Sequence, residues 1–198
     1  MLDFEILKLD ITCDIEEIRE YYETVVRDFD HLRWCPGDAE IEAGYGTLGH
    51  RVSGVFGWAI DHNGPDLHVP CPPYNIDERK FDFYRETDLN FGFIKKLKRA
   101  FPFAHGFSLA THPPGSYLNY HIDQAEFIKV HIPIYTNDDA MFFYRGSEYN
   151  LKADGSIYLV NTMIEHGTDN RGATNRAHLL FKVDNTMSDV IKSFRGYL

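Results

Sequence analysis

Beyond Pro102 the chain breaks into short runs rich in β-branched and aromatic residues, over 104–111, 126–135, 140–145, 148–152, 156–160 and 177–184. They are punctuated by backbone-turning residues: Pro113-Pro114-Gly115, Asn137-Asp138-Asp139, Arg145-Gly146-Ser147 and Asp154-Gly155. Many short strands with frequent turn signals predict an antiparallel sandwich or barrel. This pattern constrains the fold more than any other feature of the sequence.

The first half has a different texture. Residues 4–10 alternate apolar and polar side chains, as a half-buried strand does. Asp14 is placed to cap a helix carrying Ile15, Ile18, Tyr21, Tyr22, Val25, Val26 and Phe29 at helical spacing. Glu16, Glu17, Glu20 and Glu23 fall on its other face and read as a solvated surface. Residues 36–74 are rich in Gly and Pro and predict loops and short strands, a place for a rim over a site. A second helix is expected over 89–99, with Lys95, Lys96, Lys98 and Arg99 complementing its dipole. Near the end, Thr186-Met-Ser-Asp189 predicts a capping box, followed by the apolar stripe Met187, Val190, Ile191 and Phe194. The expectation is one domain over 1–198: helices and loops over 1–103, a β-rich core over 104–184 and a closing helix over 185–198.

Composition removes several function classes. Lys and Arg number 20 against 30 Asp and Glu, a net charge of −10, which argues against general nucleic-acid binding. Cys13, Cys35 and Cys71 are odd in number and form no C-x-x-C pair, so neither a disulfide framework nor a thiolate zinc site is expected. No apolar run approaches the roughly 20 residues that span a bilayer. The first residues lack the basic and apolar regions of a signal peptide. A cytoplasmic address with no membrane partner is therefore expected.

The chemistry-bearing residues lie in the β-rich half. His121-Ile122-Asp123 sets two ligand-type side chains at i and i+2, one face of a strand. His166, near a strand end, supplies a third candidate. Two imidazoles and one carboxylate suit Fe(II), because they occupy one face of an octahedron and leave three positions open. Farther on, Arg176 begins the apolar run Arg176-Ala-His-Leu-Leu-Phe. A guanidinium turned inward there needs an anion, and its fork fits a carboxylate. A cosubstrate that chelates iron at one end and carries a carboxylate at the other satisfies both demands. Each element alone is weak: His105, His112 and His178 read as core histidines, and a lone arginine as a surface residue. The ordered set of H-x-D, His and Arg is more specific.

The segment from about 104 to 184 resembles the double-stranded β-helix (a cupin-like jelly roll) of the Fe(II)- and 2-oxoglutarate-dependent oxygenases. Within these it is similar to the aspartyl/asparaginyl β-hydroxylase group, which includes free-proline hydroxylases. The resemblance lies in His112-Pro-Pro-Gly115, His121-Ile-Asp123, Lys129-Val-His131-Ile-Pro-Ile, His166-Gly-Thr-Asp-Asn-Arg-Gly and Arg176-Ala-His-Leu-Leu-Phe. It implies a mainly β fold with flanking helices, iron bound by His121, Asp123 and His166, and 2-oxoglutarate held at its distal carboxylate by Arg176. It also implies a part in oxoacid binding for His131 and, in the place of the group's usual arginine, Lys129. The reaction it implies is hydroxylation of a C–H bond with O2, releasing succinate and carbon dioxide. Asp123 stands where some relatives carry glycine, which implies an ordinary triad rather than halogenation.

The resemblance implies an amino-acid substrate, free or as an Asp, Asn or Pro residue of a peptide or protein. Trp34, Tyr45, Trp58 and Tyr74 are candidates for its rim, and Arg51, Arg79, Arg85 or Arg171 for holding a substrate carboxylate. Side chains of Asn119, Asn161 or Asn170 are candidates to orient the metal-binding histidines. Two other classes stay open: a cupin-like metalloenzyme without 2-oxoglutarate, and a non-catalytic β-barrel binding module.

Overall fold

The computed structural model describes residues 2–33, 39–41, 50–62, 85–123 and 127–198. The first strand, β1 (Ile6–Thr12), leads into α1 (Ile15–Asp28). Asp14 caps α1, its Oδ1 accepting from the backbone N–H groups of Glu16 and Glu17. Two of the donors that a helix start leaves open are thereby satisfied. Helical spacing turns Ile18, Tyr21, Tyr22 and Val25 into the core and leaves Glu16, Glu20 and Glu23 exposed. Short strands follow: β2 (Ala39–Ile41), β3 (His50–Ser53), β4 (Phe56–Ala59), β5 (Asp61–His62) and β6 (Arg85–Glu86).

Next comes α2 (Phe93–Ala100), which starts later than the sequence pattern predicts. Turns at Thr87 explain the delay: its carbonyl accepts from Asn90 N–H and its hydroxyl from Leu89 N–H. The basic end of α2 is also drawn into ion pairs, Lys96 with Glu17 and Lys98 with Asp61 and Glu86.

The β-rich part comprises β7 (His105–His112), β8 (Tyr117–His121), β9 (Phe127–Tyr135), β10 (Ala140–Tyr144), β11 (Ser147–Tyr149), β12 (Ser156–Val160), β13 (His166–Asn170) and β14 (Arg176–Asp184). The chain closes with α3 (Ser188–Lys192) and β15 (Arg195–Tyr197). The predicted capping box does not form. Thr186 instead gives both its N–H and its hydroxyl to Asp184, closing a 3-10 turn over Asn185–Met187 ahead of α3.

Two sheets carry the architecture. The larger has the order β15-β1-β12-β9-β14-β7-β4 and the smaller β11-β10-β13-β8-β3-β2. From β7 to β14 the chain alternates between them, apart from the β10–β11 hairpin: β7, β9, β12 and β14 in the larger, β8, β10, β11 and β13 in the smaller. That alternation is a jelly roll, so the protein is mainly β with flanking helices. The N-terminal part does more than pack outside this roll, because β1, β3 and β4 hydrogen-bond into its sheets.

The period of two in the larger sheet separates two environments. In β9, Ile128, Val130, Ile132 and Ile134 belong to the main apolar core, as do Ala177, Leu179, Phe181 and Val183 of β14. They pack with Ile18, Tyr21, Tyr22 and Val25 of α1 and Phe93, Ile94 and Leu97 of α2. The intervening residues, Lys129 and His131 of β9 and Arg176 and His178 of β14, point the other way, between the sheets. A smaller apolar cluster lies there, with Phe142 and Tyr144 from one sheet against Tyr158 and Val160 from the other.

Candidate active site between the sheets

Pairing of β8 with β13 sets His121 directly opposite His166, their ring centroids 4.3 Å apart. A register shift beside this pair lets Thr168 meet Leu118. Gly167 is required for the close approach: a Cβ there would run into the Phe143 ring and the Leu118 carbonyl. The ring of His166 is stacked near Phe142, at a centroid distance of 5.8 Å.

Both histidines are oriented by backbone carbonyls. His121 Nδ1 is 2.8 Å from the Asn119 carbonyl oxygen, and His166 Nδ1 is 2.9 Å from that of Ile164. A carbonyl only accepts, so Nδ1 carries the proton in each ring and the Nε2 lone pair faces the site. Of the predicted asparagine side chains, those of Asn161 and Asn170 act elsewhere. Asn161 Nδ2 donates to the Phe4 carbonyl, and Asn170 Nδ2 donates to those of His112 and Thr174. Asn170 thus ties the turn before Arg176 to the end of β7. Asn119 contributes its carbonyl to His121.

Asp123 reaches the same point by a different route from the one predicted. The strand stops at His121, and Asp123 N–H then donates to the Thr162 carbonyl at 2.9 Å. Its Oδ1 lies 3.6 Å from His121 Nε2 and its Oδ2 lies 3.9 Å from His166 Nε2. The three ligand atoms are all within 4.8 Å of one another. Donors that share one face of an octahedron, each roughly 2.1 Å from the ion, lie roughly 3 Å apart. The observed separations are wider, so the set would draw inward on an ion. The donors are two imidazoles and one carboxylate, and this set fits a divalent iron.

Electrostatics favour the ligand form of His121 and Asp123. Burial lowers His121 to about 4, keeping its imidazole neutral. Burial works to raise the pKa of Asp123, but Lys129 together with His166 and His121 outweighs it and holds the carboxyl far below the usual range. Lys129 Nζ sits 2.5 Å from Asp123 Oδ2, so this lysine is paired with the carboxylate.

A second polar group lies beside the triad. Arg176 is only 4% exposed, and among the described residues no carboxylate is within ion-pair distance of its guanidinium. Burial lowers its pKa to about 10, which still leaves it charged. Its Cζ is 5.5 Å from the centre of the Phe142 ring. Around it lie three imidazoles: His112 pairs across the strand with Arg176, His178 follows it on the same face, and His131 lies 3.3 Å from His178. Burial, and next the charge of Arg176, hold all three well below the ordinary imidazole value. His112 Nδ1, His131 Nε2 and His178 Nε2 have no hydrogen-bond partner among the described residues. A buried cation with unsatisfied imidazole nitrogens is a cradle for an anionic ligand.

His112 and His178 are buried, as expected of core histidines, but each keeps one ring nitrogen without a hydrogen-bond partner among the described residues. A signal for this was available in Arg176-x-His178, the same i and i+2 spacing that united His121 with Asp123. His105 fits the structural reading, its ring 4.9 Å from that of Phe127. Trp58 is not a rim residue: it is buried in the main core and its Nε1 donates to the Phe29 carbonyl. Arg171 is an exposed surface group paired with Glu148 and Asp169, which leaves it poorly placed for a substrate. Trp34, Tyr45, Tyr74 and Arg79 lie outside the described residues, as do the side chains of Arg51 and Arg85.

The fold is a cupin-like jelly roll with a His/Asp/His candidate metal site between its sheets. Residues 95–186 match the model of the aspartyl/asparaginyl β-hydroxylase family, just under half of the chain and the part that holds every candidate ligand. This part of the chain is similar to the aspartyl/asparaginyl β-hydroxylase family. No curated protein matches the chain. Among solved structures, a prolyl-4-hydroxylase from Pseudomonas putida is similar at 12% identity, with 92% of this chain and 93% of that chain covered and a TM-score of 0.44. A 2OG-Fe(II) oxygenase family oxidoreductase from Burkholderia pseudomallei aligns at 14% identity, covering 89% and 94%, with a TM-score of 0.40. A protein from Thermotoga maritima described as a predicted oxalate decarboxylase aligns at 15% identity, covering 75% and 92%, with a TM-score of 0.35. No helix of the described residues is long and apolar enough to cross a membrane.

Proposed function

We propose that the protein is an Fe(II)- and 2-oxoglutarate-dependent hydroxylase acting on a C–H bond of an amino acid, free or as an Asp, Asn or Pro residue in a peptide or protein. The observation that carries this reading is the convergence of His121 Nε2, Asp123 and His166 Nε2 within 4.8 Å beside a buried arginine. His121, Asp123 and His166 would hold the iron, and Arg176 would hold the distal carboxylate of 2-oxoglutarate. His131 lines the same oxoacid pocket. Lys129 supplies a point charge that balances Asp123 while no metal does so. When bound, iron and the oxoacid supply the oxidising chemistry, consuming O2 and releasing succinate and carbon dioxide.

The chain's own residues contribute geometry and polarity. Backbone carbonyls of Asn119 and Ile164 lock both imidazoles in the ligand tautomer, which spares reorganisation when the metal arrives. Phe142 and Tyr144 wall the site with apolar surface, limiting water at the reacting centre. A cupin-like enzyme without the oxoacid leaves the cost of burying Arg176 unexplained, and a non-catalytic module leaves the converging Nε2 atoms unexplained.

The test is anaerobic addition of Fe(II) and 2-oxoglutarate, followed by air. The expected result is a visible iron–oxoacid absorption band, then succinate release that is stimulated by the correct amino-acid or peptide substrate. Iron binding with neither band nor succinate would replace this reading with the oxoacid-independent metalloenzyme.

A further inference from the structure

His178 is buried to 1% exposure, yet its Nδ1 lies 3.3 Å from Arg176 Nη2 and 3.3 Å from His131 Nδ1. A guanidinium carries donors and no acceptor. In the contact with Arg176, His178 Nδ1 is therefore the acceptor, and the ring proton sits on Nε2. A protonated His178 would put two cations in contact in a buried place, and burial together with Arg176 keeps this imidazole neutral.

Arg176 needs such a partner. It stands at the first residue of β14, where only one flank of the strand restrains it. A free arginine side chain carries about 2 kcal/mol of rotamer entropy. Phe142 limits the guanidinium on its face, but a ring face does not fix rotation in its plane. His178 Nδ1 does, because it engages one Nη2 donor and so determines where the others point. The period of two along β14 makes this pairing automatic, since residues 176 and 178 share a face.

We infer that His178 is the positioning residue of the oxoacid subsite, a neutral imidazole that accepts from Arg176 and directs the remaining guanidinium donors at the distal carboxylate. The inference rests on the function proposed above and deepens it. It assigns His178 no contact with iron and none with the reacting atoms.

The test compares His178→Leu, His178→Asn and His178→Gln by anaerobic Fe(II) titration, then titration with 2-oxoglutarate and with pyruvate, which lacks the distal carboxylate. In the Leu variant, 2-oxoglutarate affinity should fall about tenfold, the size of one hydrogen bond to a charged group. Affinities for Fe(II) and pyruvate should stay at wild-type values. Asn should recover most of the loss, because its Oδ1 falls where Nδ1 was; Gln should not, because its amide reaches the Nε2 position. In turnover the defect should appear in KM for 2-oxoglutarate, with kcat retained at saturation. Wild-type 2-oxoglutarate affinity in the Leu variant, or an equal loss for pyruvate, overturns the inference while leaving the proposed function intact. If the Leu variant does not fold, the Asn and Gln pair decides: tighter binding by Asn supports the inference, and equal or tighter binding by Gln refutes it. A wild-type protein that binds iron but no oxoacid removes the parent reading and this one together.

Discussion

The two faces of the larger sheet are made by the same strands and have opposite characters. Toward α1 and α2, β9 and β14 present Ile128, Val130, Ile132, Ile134, Ala177, Leu179, Phe181 and Val183, all in the main core. Toward the smaller sheet they present Lys129, His131, Arg176 and His178; the last three are buried, and His131 Nε2 and His178 Nε2 lack a hydrogen-bond partner among the described residues. One face gains free energy from burial, at about 25 cal/mol per Å² of apolar surface. The other face loses it, because buried charges and imidazoles forgo water. The lesson is a division of labour along one chain: alternate residues hold the sheet in place so that their neighbours can remain unsatisfied until a ligand comes.

The comparison is broken most severely on the outer face. Phe181 is fully buried, 4.7 Å from the Phe107 ring and 5.1 Å from that of Phe101. Phe181→Ala should cost about 3–5 kcal/mol in urea unfolding, while the folded fraction keeps its metal affinity. On the inner side, His166→Ala should cut Fe(II) affinity by more than about 100-fold, since even groups that only orient a ligand cost 10–100-fold. Its unfolding midpoint should change little without metal. Arg176→Lys should weaken 2-oxoglutarate binding by roughly 10–100-fold, because one charged point replaces a fork. Spectral titration should show iron affinity unaltered.

Acidification sharpens the contrast further. His112 and His178 are held well below the ordinary imidazole value by burial, and then by Arg176. In the unfolded chain they protonate near pH 6.5, so below that pH the unfolded state binds more protons and stability falls as pH falls. The slope is about 1.4 kcal/mol per pH unit for each such histidine. Urea melts between pH 7.5 and 5.5 should show that loss, and His178→Asn should reduce the slope by one proton. The smallest effect belongs to the helix that covers the outer face: Asp14→Ala removes the cap of α1 and should cost about 1 kcal/mol, read as a lower thermal midpoint with unchanged ligand binding.

Much of the fold was legible because period-two patterning and turn residues coincide. The predicted run at 156–160 is β12 as observed, and the runs at 126–135 and 177–184 miss β9 and β14 by one residue at one end. Beyond His121-Ile-Asp123 no strand is expected over 117–121, and His166 is placed only near a strand end; the reasons are physical. In β8, Tyr117 and Tyr120 are exposed and the pattern of an apolar face is weak. In β13, His-Gly-Thr-Asp-Asn carries residues that form strands poorly on their own. Both are strands because the site and the neighbouring sheet hold them. The pairing of His121 with His166 was legible only as two ligand types far apart in the chain; that they face each other across a ladder follows from topology. His178 and His112 were hidden because a histidine between apolar residues looks alike in sequence whether it fills a core or faces a ligand.

The central claim is that one ferrous ion binds to His121, Asp123 and His166. Competition of the anaerobic protein against a calibrated ferrous chelator measures this directly. One ion per chain, lost when any of the three is replaced by alanine and retained in Arg176→Lys, is the predicted result. Iron that fails to bind the wild type at micromolar concentrations, or that binds equally well after His166→Ala, would contradict the account.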